Sequence, residues 1–276
     1  MAYTAFLDTP GVVAMAHRGF SGPDGNHRIE NSMRAFQAAV DLGLMYVETD
    51  VHATADGVLL AFHDETLDRV TDSRGVISGL PWSQVSRAKI GGQEPIPRLE
   101  DLLARWPDLR INIDVKSAHA IAPTVELIDR MQAHDRVCIA SFSDTRRRAV
   151  VRRLARPVAV SAGQGTIARF VVGGQWLPRA LDSVLGATGR AGTPLHGIDC
   201  LQVPERAGRL TVVTPHFLRA AHRLGVQVHV WTPNDVPSMH RLLDLGVDGI
   251  ITDRADLLKQ VLRQRGQWPS PPNPLV

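Results

Sequence analysis

Short apolar or β-branched runs recur along the chain, and most are followed by a segment whose apolar positions have helical spacing. Nine stand out: Val12–Ala16, Met45–Val51, Val58–Phe62, Ile111–Val115, Val137–Ser141, Val158–Ser161, Ile198–Gln202, Val226–Val230 and Gly249–Thr252. Such alternation predicts parallel strands joined by crossover helices, and hence an α/β fold of the (β/α)8 TIM-barrel type. One run is surplus to eight staves. Asp56-Gly57 precedes Val58–Phe62, and that dipeptide favours a tight hairpin turn where parallel neighbours would need a crossover. The run is therefore read as the return arm of a short β-hairpin extending strand two above the barrel mouth. That arm brings His63 back toward the mouth.

Helix signals follow most strands. Asn31 or Ser32 is placed to cap a helix over Met33–Leu42 that Gly43 stops; Ala120–Ala133 carries an apolar face; Pro215 opens a helix that Gly225 ends. The stretch 163–197 is glycine-rich and breaks the rhythm, so an extended loop with a short helix is expected there. The chain has 276 residues, which suits one barrel of roughly 250 residues. We expect a single domain over 1–265 and a proline-rich tail over 266–276, with the stretch from Trp268 onward loose on the surface.

The formal charge of +3 does not change this picture. Clusters such as Arg146-Arg147-Arg148 and Arg152-Arg153 read as solvated helix faces and not as a nucleic-acid footprint. Cys138 and Cys200 lie in separate apolar runs without a CxxC partner, so neither a disulfide framework nor a zinc site is expected and both read as core residues. Met1 to Gly11 has no basic region followed by an apolar stretch, and no window reaches the roughly 18 apolar residues of a membrane span. A cytoplasmic protein without a transmembrane segment is the expectation.

Candidate chemistry falls at the predicted strand ends, where barrels place their reactive groups. Strand one ends in His17-Arg18-Gly19, strand two in Glu48-Thr49-Asp50, the hairpin arm in His63-Asp64, the next strand in Asp114-Val115-Lys116, and a late strand in Trp231-Thr232. Alternation of side chains sends Glu48 and Asp50 to one face, and likewise Asp114 and Lys116. If that face is the barrel interior, three carboxylates converge. They would raise one another's pKa unless a cation sat among them, and oxygen ligands suit Mg²⁺ or Ca²⁺. Arg18 and Lys116 add fixed positive charge suited to a phosphate, while two histidines can take and deliver protons near neutral pH. Asn31 and Ser32 read as helix caps, Glu30 is ambiguous, and Asp64 is placed to orient His63. Thr252 and Asp253 read equally as structural turn and substrate contact, while a core aromatic is the lesser alternative for Trp231.

These residues resemble the glycerophosphodiester phosphodiesterase family from about Val12 to Leu258. The resemblance is carried by His17-Arg18-Gly19 with Glu30-Asn31, Glu48-Thr49-Asp50-Val51, Thr54-Ala55-Asp56-Gly57, His63-Asp64 and Ile96-Pro97-Arg98-Leu99-Glu100. It continues through Ser141-Phe142, Trp231-Thr232-Pro233-Asn234 and Gly246-Val247-Asp248-Gly249-Ile250-Ile251-Thr252-Asp253. It implies hydrolysis of a glycerophosphodiester to glycerol 3-phosphate and an alcohol, with His17 and His63 as the acid–base pair. It further implies Glu48 and Asp50 as metal ligands, Arg18 and Lys116 on the phosphate, and Trp231 with Phe142 against the glycerol or the leaving alcohol. The family's third ligand is the glutamate of an ExK triplet; Asp114 stands at that place and leaves the choice between Mg²⁺ and Ca²⁺ open. Related sphingomyelinase D-like phospholipases share that DxK form, so a lysolipid substrate in a slot lined by Phe142, Trp176 and Trp231 is the alternative. A non-catalytic barrel binding a phosphorylated metabolite is the alternative of another class.

Overall fold

The computed structural model of the chain describes residues 5–9, 11–22, 27–174 and 195–268. In chain order its strands are β1 (Val13–Ala16), β2 (Tyr46–Ala53), β3 (Leu59–Ala61), β4 (Lys89–Ile90), β5 (Glu94–Pro95), β6 (Arg110–Val115) and β7 (Val137–Ala140), then β8 (Ala159–Val160), β9 (Cys200–Pro204), β10 (Arg206–Ala207), β11 (Leu210–Thr211), β12 (Gln227–Trp231) and β13 (Gly249–Thr252). The helices are α1 (Met33–Asp41), α2 (Trp82–Val85), α3 (Leu99–Arg105), α4 (Ile121–Met131) and α5 (Asp144–Val151), then α6 (Gln164–Gly174), α7 (Pro215–Arg223), α8 (Val236–Leu245) and α9 (Ala255–Gln264).

Eight strands pair in the order β8-β7-β6-β2-β1-β13-β12-β9, every neighbour parallel. A parallel bridge from Ser161 to Cys200 joins the two ends of that series, so the barrel is nearly closed. The period of two along each strand sorts the side chains. On β6, Ile111, Ile113 and Val115 join the layer between sheet and helices, with Phe36, Leu102, Ile128, Phe217, Leu242 and Leu258 opposite. Each such side chain, fully buried, contributes about 1.5–3 kcal/mol. Asn112 and Asp114, on the other face of the same strand, line the barrel cavity.

Below that cavity a smaller apolar cluster fills the barrel, with Val13, Met15, Tyr46, Cys138, Cys200 and Ile251 packed on Phe6. Phe6 belongs to a short 3-10 turn, Ala5–Leu7, and stands edge-on to Tyr46 with ring centroids 5.3 Å apart. The Tyr46 hydroxyl donates to the Phe6 carbonyl at 2.7 Å, and Arg110 Nη1 donates to the Asp8 carbonyl at 2.8 Å. Cys138 and Cys200 are buried free thiols, as expected.

The surplus strand is a hairpin arm: β3 runs antiparallel to β2, with Val51 opposite Ala61 and Ala53 opposite Leu59. Its turn is held by Thr54, whose Oγ1 donates to Asp56 Oδ1 at 2.6 Å and accepts from the Val58 amide at 2.9 Å, while Gly57 adopts φ +84°. Beyond it, the chain builds a satellite core of Leu60, Phe62, Leu67, Ile77, Val85, Ile90 and Ile96. The apolar pattern alone did not reveal this unit, because its elements are only two to four residues long.

One expectation is met in part and one is corrected. The glycine-rich stretch does contain a helix, the 11-residue α6 at its start. Asp144 anchors it by accepting from the Thr166 amide and hydroxyl at 2.8 and 2.7 Å. The remainder of that stretch over 175–194, which includes Trp176, lies outside the described residues. Trp268 is not loose: it packs on the core, donates its amide to the Leu262 carbonyl at 3.1 Å, and has Lys259 Nζ 5.6 Å from its ring centroid. The rest of the tail, 269–276, lies outside the described residues. No helix among the described residues is long and apolar enough to cross a membrane.

Gly19 makes one stability prediction. It adopts φ +76°, and a Cβ there would lie 2.8 Å from the Ala35 carbonyl carbon and 2.9 Å from Ala35 Cβ. Strained backbone and overpacking each cost about 1–3 kcal/mol. Gly19→Ala should therefore lower unfolding free energy by about 2 kcal/mol or more in a urea titration; an unchanged midpoint would show that the turn relaxes freely.

Candidate active site

The C-terminal ends of the strands open into a cavity of about 590 Å³. His17, Arg18, Glu48, Asp50, His63, Asp114, Lys116, Phe142 and Trp231 all line it, so the structure brings together the proposed acid–base, metal and substrate residues, with Trp176 outside the described residues. The register explains the convergence. On β2 and β6, Asp50 and Asp114 are Cα partners, and Glu48 is partnered by Asn112. Two adjacent parallel strands thus present three carboxylates toward one space.

Both histidines are held by a carboxylate at the same ring atom. His17 Nδ1 lies 2.7 Å from Asp253 Oδ1, and His63 Nδ1 lies 2.6 Å from Asp64 Oδ1. A carboxylate accepts only, so each Nδ1 carries the proton and each Nε2 is left for other chemistry. Asp253 is itself clamped by Asn234, whose Nδ2 donates to Asp253 Oδ2 at 2.7 Å and whose Oδ1 accepts the Asp253 amide at 3.0 Å. On the other side Arg69 binds both oxygens of Asp64 and both of Glu30, and Glu30 accepts from Arg18 Nη1 at 3.0 Å. His63 is also fixed by its backbone: the Phe62 amide donates to the Asp50 carbonyl at 2.8 Å, and His52 Nε2 lies 3.1 Å from the His63 carbonyl.

Sequence reading anticipated Asp64 on His63 and missed two partners. Asp253 read equally as turn and contact, and it is the partner of His17. Arg69 was not singled out; its only signal was its place five residues after Asp64. Asn31 needs correction. Ser32 alone caps α1, accepting from the Ala35 amide at 3.1 Å. Asn31 sits at φ +56° and turns inward, accepting from Thr49 Oγ1 at 2.7 Å and donating to Asp50 Oδ2 at 3.3 Å. It braces a carboxylate rather than a helix end.

Cations and carboxylates interleave at the centre. Lys116 Nζ is 2.8 Å from both Asp50 Oδ1 and Asp114 Oδ2. Arg18 Nε stands 3.2 Å from Asp50 Oδ2, and the Arg18 amide donates to Glu48 Oε2 at 3.0 Å. Burial works against an ionised Asp50, yet Lys116 and Arg18 outweigh it and hold its pKa down at about 2. Glu48 goes the other way: burial, and then the charge of Asp50, push it up to about 7. Burial also raises Asp114. His17 lies above its ordinary value because, against the desolvation that would lower it, Asp253 and Glu48 favour the imidazolium.

Among the described residues, no three His, Cys, Asp or Glu side chains converge as they stand into a ready ion cluster; Lys116 bridges two of the carboxylates instead. Two features still fit a divalent cation. Asp114 Oδ1 is buried without any hydrogen-bond partner, and Glu48 is a buried carboxylate short of positive charge. Oxygen donors of this kind suit a hard ion. At the rim, Phe142 and Trp231 pack with centroids 6.1 Å apart, and Lys116 Nζ lies 5.2 Å from the Phe142 centroid.

Comparison with known proteins agrees with this geometry. The family model described as "Glycerophosphoryl diester phosphodiesterase family" matches residues 17–257. The probable glycerophosphodiester phosphodiesterase 2 of Mycobacterium tuberculosis is 47% identical over 264 residues, spanning 95% of each chain. The glycerophosphodiester phosphodiesterase of Caldanaerobacter subterraneus is 27% identical, over 92% of this chain and 99% of its own. In fold, the glycerophosphodiester phosphodiesterase of Agrobacterium tumefaciens superposes with a TM-score of 0.70 at 23% identity, covering 90% of this chain and 99% of its own. An Oleispira antarctica phosphodiesterase solved with its product sn-glycerol-3-phosphate gives 0.71 at 21%, covering 95% and 100%. With family-specific residues spread around one barrel mouth and a match that runs from the first histidine almost to the last helix, the chain belongs to the glycerophosphoryl diester phosphodiesterase family.

Proposed function

We propose that the protein hydrolyses glycerophosphodiesters to glycerol 3-phosphate and an alcohol, using His17 and His63 as its proton-transfer pair. The observation that carries this reading is the matched clamping of the two rings. Each has Nδ1 on an aspartate, Asp253 or Asp64, within a cavity that also holds Arg18 and Lys116. Splitting a phosphodiester with water needs one group to take a proton from the attacking oxygen and one to give a proton to the departing oxygen. Fixed Nε2 atoms suit both tasks. Arg18 and Lys116 would then bind the phosphoryl oxygens, Arg18 with a planar fork and Lys116 as a point charge.

Glu48, Asp50 and Asp114 would hold a divalent cation, Mg²⁺ or Ca²⁺, which when bound supplies charge neutralisation for the phosphoryl group. The likeness of this chain to members of a metal-dependent family supports the ion; the choice between the two metals is open to the aspartate at 114. Phe142 and Trp231 would pack against the glycerol or the leaving alcohol.

The deciding assay is release of glycerol 3-phosphate from a panel of glycerophosphocholine, glycerophosphoethanolamine and glycerophosphoinositol, with a lysophospholipid alongside. Turnover of at least one water-soluble diester is expected. Binding of glycerol 3-phosphate without turnover of any diester would instead make the barrel a metabolite-binding protein.

A further inference from the structure

Five large apolar side chains among the described residues are more than two-fifths exposed: Met45, Val76, Phe142, Val172 and Leu210. The three most exposed, Val172 at 71%, Leu210 at 53% and Phe142 at 52%, all line the mouth of the one cavity described above. They reach it from three separate elements: α6, the β10–β11 hairpin, and the loop after β7. Exposed apolar groups scattered singly need no explanation, but a set gathered round one opening marks a contact with something apolar.

Three exposed arginines sit on the same two elements as Val172 and Leu210. Arg206 and Arg209 flank the hairpin turn, both exposed, and Arg206 Nη2 donates only to the Arg209 carbonyl. Arg169, also exposed, lies one helical turn before Val172 on α6. None of the three forms an ion pair with a described carboxylate, and neither 163–174 nor 206–214 contains an Asp or Glu. Glu205, just before the hairpin, is taken up by both terminal nitrogens of Arg241.

We propose that this rim docks on an anionic lipid surface. Leu210, Val172 and Phe142 enter the boundary between headgroups and acyl chains while Arg169, Arg206 and Arg209 meet lipid phosphates, so that the cavity opens against the membrane. Basic groups beside apolar tips are the combination that holds a peripheral protein at such an interface. A fluid surface fills in round separate tips bordering a hole. A protein partner would need a complementary face of roughly 800 Å². The docking stands apart from the hydrolytic reading, since binding is measured without turnover.

The experiment is co-sedimentation of the full chain with vesicles of phosphatidylcholine alone and of phosphatidylcholine with phosphatidylglycerol. Expected is pelleting with the anionic vesicles only, reversed by high salt. Removing both hairpin cations in R206E/R209E should cut the partition coefficient at least about thirtyfold while leaving the melting temperature and the turnover of a water-soluble diester at parental values. Val172→Asp, on a different element, should weaken partition independently of the hairpin. No pelleting, equal pelleting with neutral vesicles, or parental partition of R206E/R209E would overturn the proposal. So would a lipid-free dimer in sedimentation velocity that Leu210→Asp dissolves, since the rim would then belong to a second copy of the chain.

Discussion

His17→Ala and His63→Ala should each lower kcat at least about a hundredfold, the usual contribution of a positioned proton-transfer group. The expectation follows from the shared geometry of the two rings. With Nδ1 occupied by Asp253 or Asp64, nothing but Nε2 is available for exchange, and among the described residues no third histidine lines the cavity to stand in. Asp253→Asn should be milder in KM than in kcat, because an amide in place of the carboxylate no longer enforces the Nδ1–H tautomer of His17. Near-parental kcat in either alanine variant would remove that ring from the reaction. Loss of kcat in both, with an unshifted melting temperature, is the outcome the geometry requires.

Chelation should have the second large effect. Excess EDTA is expected to abolish turnover and added divalent cation to restore it, because three buried carboxylates in one cavity are poorly balanced by Lys116 and Arg18 alone. Glu48 shows the imbalance. Its folded pKa of about 7 lies above the ordinary 4.5, so its contribution to stability is fully present below pH 4.5 and is lost as pH rises through about 7. In chelator, the protein should therefore melt lower at pH 8 than at pH 5, other titrations aside. Glu48→Gln offers a sharper test: the neutral amide keeps an oxygen for the Arg18 amide and removes a penalty on the order of 3 kcal/mol at pH 8. The variant should be more stable than the parent in chelator at that pH and inactive in its absence. Full activity in EDTA would take the cation out of the mechanism, and a destabilised Glu48→Gln would show that Glu48 is already balanced.

The barrel was legible because its signals are local. Each strand carries its own apolar run, and Asp56-Gly57 was enough to turn the surplus run into a hairpin arm. The principal site residues were legible for a related reason: a barrel fixes where strand ends go, so Glu48, Asp50 and Asp114 could be placed on one cavity before their neighbours were known. What escaped depended on contacts between distant segments. Asp253 meets His17 across 236 positions of sequence and Arg69 meets Glu30 across 39; no spacing rule encodes either. Asn31 was read as a cap because Asn favours helix starts, and its left-handed backbone, which turns the side chain inward, is invisible in the sequence. A helix was expected within the glycine-rich run, but its place and length there were not legible. Its local preference is poor, and the tertiary anchor at Asp144 supplies what glycine withholds.

The barrel floor carries a practical consequence. Phe6 is the stopper of the end opposite the mouth: its ring fills the bottom layer, and its carbonyl takes the one hydroxyl that Tyr46 has to give. A shortened protein beginning at the first strand would keep every residue of the reaction and yet leave Tyr46 and Arg110 facing water through an open base. Loss of activity on trimming those leading residues would report an unplugged scaffold and say nothing about chemistry at the far end.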